Sequence, residues 1–199
     1  MTFYANRQKL GGISSKMGKA FAKLGLSPNQ WTLLTLIPTI ISFYFLVETN
    51  FPLAALFFLI SSFMDWIDGS VARFTGKTTK FGAYLDSVMD RYVEFIIILG
   101  IYFANIPGFF VPAEFWLILY VFGSLMTTYA KAAAKEKDLV DKEIKGGLLE
   151  RAERLILLFF GMILAHFGRI YLTYMIVILA VLTNVTAFQR MRIATKRQK

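Results

Sequence analysis

Apolar residues run along this chain in six long blocks separated by short polar or charged gaps, covering residues 31–47, 53–73, 82–104, 113–133, 150–167 and 170–188. Each block is close to the roughly 20 residues that a helix needs to cross a bilayer. Lipid offers the backbone no hydrogen-bonding partner, so runs of this kind form helices whose bonds close internally. The pattern therefore predicts an all-α polytopic membrane protein with six transmembrane helices. Ahead of the first block, Leu10, Ile13, Met17, Phe21 and Leu24 recur at three- and four-residue steps with lysines between them. That spacing predicts an N-terminal amphipathic interfacial helix over 10–24. Ser27 is placed to cap a helix whose first position is Pro28, and Pro38 should kink the first span.

The gaps carry the topology. Lysine and arginine gather before residue 24, in the 73–80 loop, in the 131–154 loop and after Gln189, whereas the opposite gaps at 48–52, 105–113 and 167–170 hold only Arg169. By the positive-inside rule both termini are cytoplasmic, and the expected location is the cell (plasma) membrane as a multi-pass protein. No apolar signal-peptide core precedes Leu26, so the first span is expected to act as the insertion signal and to remain. The formal net charge of +9 follows this parcelling and forms no stripe, so nucleic acid is not an expected partner. With 56% hydrophobic residues and a mean hydropathy of +0.55, the 199 residues read as a single membrane-embedded domain over 1–199. There is no cysteine, which removes thiol chemistry and leaves carboxylates, bases and metals.

Four aspartates interrupt the apolar pattern. Asp65 and Asp68 lie three apart at the end of the second block, and Asp86 and Asp90 lie four apart at the start of the third. On helices each pair shares a face. Four carboxylates at the cytoplasmic boundary of a bilayer repel one another and lose hydration unless a cation joins them. Hard oxygen ligands select magnesium, manganese or calcium, and a pair of such ions can clamp the attacking and leaving oxygens of a phosphoryl displacement. Gly69 and Ala72 would let a nucleotide lie against the backbone, Arg73 can meet a phosphate with two donors, and a carboxylate spared by metal could take a proton from a hydroxyl. Glu94, one turn beyond Asp90, is expected to be a structural partner of Arg91 or Arg154. His166, at the far end of the fifth span, is expected to be an interface residue and not a ligand.

Asp65, Asp68, Gly69, Ala72, Arg73, Gly82, Asp86 and Asp90 form the pattern Asp-x2-Asp-Gly-x2-Ala-Arg-x8-Gly-x3-Asp-x3-Asp. It resembles, at every fixed position, the signature of the CDP-alcohol phosphotransferases, and the six-span length resembles that family's core over essentially the whole chain. The resemblance implies that Asp65, Asp68 and Asp86 bind two divalent cations, Mg2+ or Mn2+, with Asp90 completing the site and acting as general base. It implies that Gly69, Ala72 and Arg73 lie against the CDP moiety of a CDP-linked lipid, and that Asn29, Thr32 and Thr79 line the same pocket. The reaction implied is transfer of a phosphatidyl or archaetidyl group to the hydroxyl of a small alcohol, with release of CMP. A clue to that alcohol lies in Lys131, Arg151, Arg154 and Arg190, which resemble the acceptor-phosphate residues of phosphatidylinositol-phosphate and archaetidylinositol-phosphate synthases. The expected acceptor is inositol 1-phosphate, with glycerol 3-phosphate as the alternative. Position 133 is Ala where the resemblance leads one to expect a second basic residue, and the 135–147 loop is longer and more charged. The resemblance also favours a homodimer.

Two other classes fit parts of the pattern. An intramembrane prenyltransferase also holds magnesium and a diphosphate on aspartate-rich helices, but usually through an Asn-Asp-x2-Asp motif absent here. A divalent-cation transporter would place its carboxylates near the midplane, often in broken helices, whereas these cluster towards one face.

Overall fold

The computed structural model describes residues 7–140 and 147–196. They form helices α1 (Arg7–Ala22), α2 (Pro28–Leu34), α3 (Leu36–Val47), α4 (Phe51–Thr75), α5 (Lys80–Phe103), α6 (Ala113–Glu136), α7 (Arg151–Ala165) and α8 (Arg169–Lys196). Among the described residues, four helical stretches are long and apolar enough to cross a membrane: Pro28–Val47, which joins α2 and α3, Phe51–Thr75, Ala113–Glu136 and Arg169–Thr195. The segments expected as the third and fifth spans form helices α5 and α7, which are not among these four. The first half of α5 carries Asp86, Asp90, Arg91 and Glu94, and α7 is only 15 residues long, short of the roughly 20 that a crossing takes.

Local chemistry sets the helix ends. Gln30 N donates to Ser27 Oγ at 3.3 Å and Ser27 N to Gln30 Oε1 at 2.7 Å, a reciprocal cap that starts α2 with Pro28 in its first turn. The break between α2 and α3 falls at Thr35, three residues before Pro38, whose missing N–H and ring disturb the preceding turn. Thr35 Oγ1 donates to Thr32 O at 2.6 Å and Thr39 Oγ1 to Thr35 O at 2.7 Å, so hydroxyls serve carbonyls around the break. At the other end of the chain α8 runs about two turns beyond the predicted limit of 188. Hydropathy falls there, but Arg192, Ala194 and Lys196 are good helix formers and the ladder continues. The predicted linker 135–147 falls partly on 141–146, outside the described residues.

The chain divides into two compact units. Unit 1 comprises the described residues up to Phe43 with Leu56–Ile97, hence α1, α2 and most of α3, α4 and α5. Its core joins Trp31, Ile67 and Val71, with Phe21, Ala22, Leu26 and Met64 packed against them. Phe21 meets the Trp31 ring edge to face at 5.5 Å, which fixes α1 to the start of α2. Thr39 and Ser61 share a buried 2.7 Å hydroxyl contact between α3 and α4.

Unit 2 comprises Tyr44–Ala55 and the described residues from Ile98 onward. Here α8 packs on both α6 and α7, over a core that includes Leu158, Met162, Leu172, Ile176 and Leu179. Gly123 brings α6 close to α8: a Cβ there would strike Thr183 Oγ1 and lie 2.5 Å from Asn184 Nδ2. Asn184 Nδ2 donates across the same contact to Leu119 O at 3.0 Å. Before α7, Leu148 N donates to Gln189 Oε1 and Leu149 N to Thr186 Oγ1, both at 3.1 Å, strapping the incoming chain onto α8.

Candidate active site

The aspartates occupy facing helices of unit 1. α4 presents Asp65 and Asp68 on one face and α5 presents Asp86 and, one turn on, Asp90. Asp65, Asp68 and Asp86 each offer a carboxylate oxygen, and the three oxygens lie within 4.8 Å of one another. Asp68 is buried, while Asp65 and Asp86 are partly open. Thr32 Oγ1 donates to Asp68 Oδ2 at 2.6 Å and so orients the most enclosed of the three. Three carboxylate oxygens this close form a hard donor set suited to a divalent cation.

Asp90 lies along the same helical face but outside that group of three. Arg91 Nη2 stands 3.8 Å from its Oδ2, and Arg91 Nη1 donates to Glu94 Oε2 at 3.1 Å. Glu94 is thus a partner of Arg91, one of the two expected. His166 follows α7 as its C-cap, its ring against Phe167 at 5.4 Å.

A pocket opens beside the acidic group. Asn29, Thr32, Gly69, Ala72, Arg73 and Thr79, all six residues expected from sequence to meet a CDP moiety, line it together with Asp68 and Asp86. Its wall is set by a tight start to α5: Gly82 N donates to Thr79 Oγ1 at 2.9 Å, and a Cβ on Gly82 would stand 3.1 Å from both Thr79 Oγ1 and Asn29 Oδ1. Gly69 leaves room for the Arg73 guanidinium, whose Nη1 would be 3.2 Å from a Cβ there. Lys77 and Thr78 also line the pocket. In the sequence Lys77 reads only as part of the basic 73–80 loop; the fold places it on the same pocket as Arg73.

The basic residues gather in unit 2. Arg154, with 2% exposure, is the largest fully buried side chain among the described residues, and Arg190 is 8% exposed. They reach the same residue from two helices. Arg154 Nη1 donates to Thr127 Oγ1 at 3.4 Å, and Arg190 Nη1 donates to Thr127 O at 2.7 Å. Lys131 follows Thr127 by one turn of α6, and Arg151 precedes Arg154 by one turn of α7. Thr127, fully buried, was not singled out from sequence: a threonine in an apolar helix has no pattern of its own. Both arginines of α7 lie in its first turns, where Glu153 and the N-cap Glu150 stand with them.

Comparison with known proteins places the chain among named relatives. Over 191 residues the chain is 32% identical to the archaetidylinositol phosphate synthase of Pyrococcus horikoshii, covering 96% of this chain and 95% of that one. It is 33% identical over 163 residues to the phosphatidylinositol phosphate synthase of Corynebacterium glutamicum, covering 78% and 71%. It is also 33% identical to the bifunctional IPC transferase and DIPP synthase of Aquifex aeolicus, of which it spans 40%. The crystal structure of Mycobacterium tuberculosis phosphatidylinositol phosphate synthase with CDP-DAG bound shares the fold, with a TM-score of 0.80 at 24% identity over 92% of this chain and 93% of that one. The same mycobacterial protein in complex with manganese and citrate superposes with a TM-score of 0.81. With the defining pattern of CDP-alcohol phosphatidyltransferases matched across residues 26–186 and four helices suited to a bilayer, the chain belongs to that family of membrane enzymes.

Proposed function

We propose that the protein is a phospholipid synthase that transfers the phosphatidyl or archaetidyl group of a CDP-linked lipid to the hydroxyl of inositol 1-phosphate and releases CMP. The observation that carries this reading is the pocket in which six nucleotide-side residues meet the carboxylates of Asp68 and Asp86. The names of the Pyrococcus and Corynebacterium relatives support inositol phosphate as the acceptor.

In this reading Asp65, Asp68 and Asp86 hold two divalent cations, Mg2+ or Mn2+, with Asp90 completing the set. Bound there, such ions supply charge neutralisation of the diphosphate and stabilise the departing CMP. Asn29, Thr32, Gly69, Ala72 and Thr79 cradle the nucleotide, and Arg73 donates to the diphosphate. Asp90 accepts the proton of the acceptor hydroxyl as its oxygen attacks the β-phosphorus, and the bond from that phosphorus to the CMP oxygen breaks. Arg154 and Arg190, with Lys131 and Arg151, hold the acceptor phosphate. The meeting of Arg154 and Arg190 on Thr127 supports this placement.

The protein works in this proposal as a single domain over 1–199 with six crossings, α5 and α7 supplying the third and fifth, and with α1 lying in the interface. It sits in the plasma membrane with both termini and the active site cytoplasmic, and it assembles as a homodimer. The test is CMP release by the purified protein from one CDP-lipid with Mg2+, with inositol 1-phosphate or glycerol 3-phosphate as acceptor. Turnover with inositol 1-phosphate, and an Arg154→Ala variant whose KM for that acceptor rises roughly tenfold or more at unchanged KM for the CDP-lipid, is expected. Turnover with glycerol 3-phosphate alone would transfer the assignment to that acceptor, and consumption of neither would remove it.

A further inference from the structure

We propose that α1 forms part of the nucleotide site, with the Ser14 hydroxyl positioning the Arg73 guanidinium for the diphosphate and Gly18 setting the helix spacing that lets it reach. The inference rests on the reading of Arg73 as a diphosphate contact and adds a positioning residue from a helix outside the family signature.

Arg73 stands in the last turn of α4, exposed, and lines the pocket. Among the described residues it makes no ion pair. Two hydroxyls hold it instead: Arg73 Nη2 donates to Ser14 Oγ at 3.0 Å and, more weakly, to Ser70 Oγ at 3.4 Å. Proton bookkeeping gives this contact a direction. Ser70 Oγ donates back along α4 to Trp66 O at 2.9 Å, so its proton is committed. At the 2.9 Å contact between the two hydroxyls, Ser14 is then the donor and Ser70 the acceptor. The chain Arg73 to Ser14 to Ser70 to Trp66 O is thus oriented throughout, and each member polarises the next.

Neutral anchors matter here. A carboxylate would fix the guanidinium as well but would cancel the charge that an incoming diphosphate needs. Hydroxyls fix one edge of the fork and leave its positive charge uncompensated, with the remaining N–H donors available for a second ligand. One of the two anchors comes from α1, so the orientation of Arg73 depends on where that helix lies.

Gly18 is the independent observation. It is buried against α4, and a Cβ there would strike Ser70 O and lie 2.7 Å from Phe74 Cβ. α1 therefore touches the α4 backbone at the residue that also anchors Arg73. Ser14 is one helical turn before Gly18 on the same face, so any side chain at 18 that pushes α1 outward withdraws the Ser14 hydroxyl.

The experiment uses the purified full chain and measures CMP release while CDP-lipid and acceptor are varied separately. Ser14→Ala is expected to raise the KM for CDP-lipid, and the inhibition constant of free CDP, roughly three- to tenfold, with the acceptor KM unchanged. Ser14→Thr keeps the hydroxyl and should restore both constants. Gly18→Leu should raise the same two constants, and Ser14→Ala should add nothing in an Arg73→Ala background. If Arg73→Ala raises the KM for CDP-lipid and Ser14→Ala does not, or if the Ser14 effect persists without Arg73, the positioning role is wrong while the Arg73 contact stands. If Arg73→Ala leaves that KM unchanged, the Arg73 contact itself fails and takes the inference with it.

Discussion

At the scale of single residues, the site contrasts two kinds of aspartate. Asp68 is buried and takes a short hydrogen bond from Thr32, which holds one oxygen in place without neutralising it. In the proposed role of Asp68 as a metal ligand such a donor tunes it, and loss of an outer partner typically costs about 10–100-fold in metal affinity. Thr32→Val, which keeps the shape and removes the donor, should therefore raise the Mg2+ concentration for half-maximal CMP release by about tenfold, with turnover recovered at saturating metal. A magnesium titration of the two proteins checks this. Asp90 lies outside the converging group, and its proposed work is on a proton. Asp90→Asn should lower kcat by about 10²–10⁴-fold while leaving CDP-lipid binding intact; single-turnover kinetics and an equilibrium binding measurement separate the two. Unimpaired turnover by this variant would remove Asp90 as the base. These residues were legible in the sequence because their geometry is local: steps of three and four fix a common helical face before any tertiary contact is known. The Thr32 bond to Asp68 spans 36 positions, and only the family resemblance pointed to Thr32.

At the scale of elements, the helices were legible wherever hydropathy and hydrogen bonding change together. The cap at Ser27 and the break ahead of Pro38 were both readable, since each follows from one residue's donors and ring. The end of α8 was not, because a helix outlasts its apolar stretch when the following residues favour the conformation. Thr127 was missed for a different reason: it acquires its role when α7 and α8 bring Arg154 and Arg190 to one point of α6, and no local spacing encodes that meeting. The α6 and α8 contact depends on Gly123 having no side chain. Gly123→Val should force the helices apart against Thr183 and Asn184 and destabilise unit 2 by about 1–3 kcal/mol, read as a lower thermal midpoint in detergent. Gly12, where a Cβ would meet nothing within 4 Å, supplies the control: Gly12→Ala should leave the midpoint unchanged or raise it slightly, as expected for an open helical position.

At the scale of the whole molecule, the proposed orientation rests on charge. Its cations occupy the ends of helices that, in the six-span reading, meet one side of the membrane, and the gaps on the opposite side are nearly free of them. Moving such loops across the bilayer is unfavourable, so the distribution favours cytoplasmic termini. In the proposed topology the active site shares that side, because Asp65 and Asp68 lie towards the end of α4 that leads into the loop with Lys77 and Lys80. The absence of cysteine turns this into a direct measurement. Single cysteines can be placed at Asp138, after α6, and at Phe110, which is 92% exposed between α5 and α6. In intact cells an impermeant maleimide should label the Phe110→Cys protein, while the Asp138→Cys protein should react only after the membrane is opened. The reverse pattern would put the nucleotide site on the outer face, away from CDP-lipid headgroups in the inner leaflet. Labelling at both positions from one side would mean that α6 does not cross, and the six-span topology would fail with it.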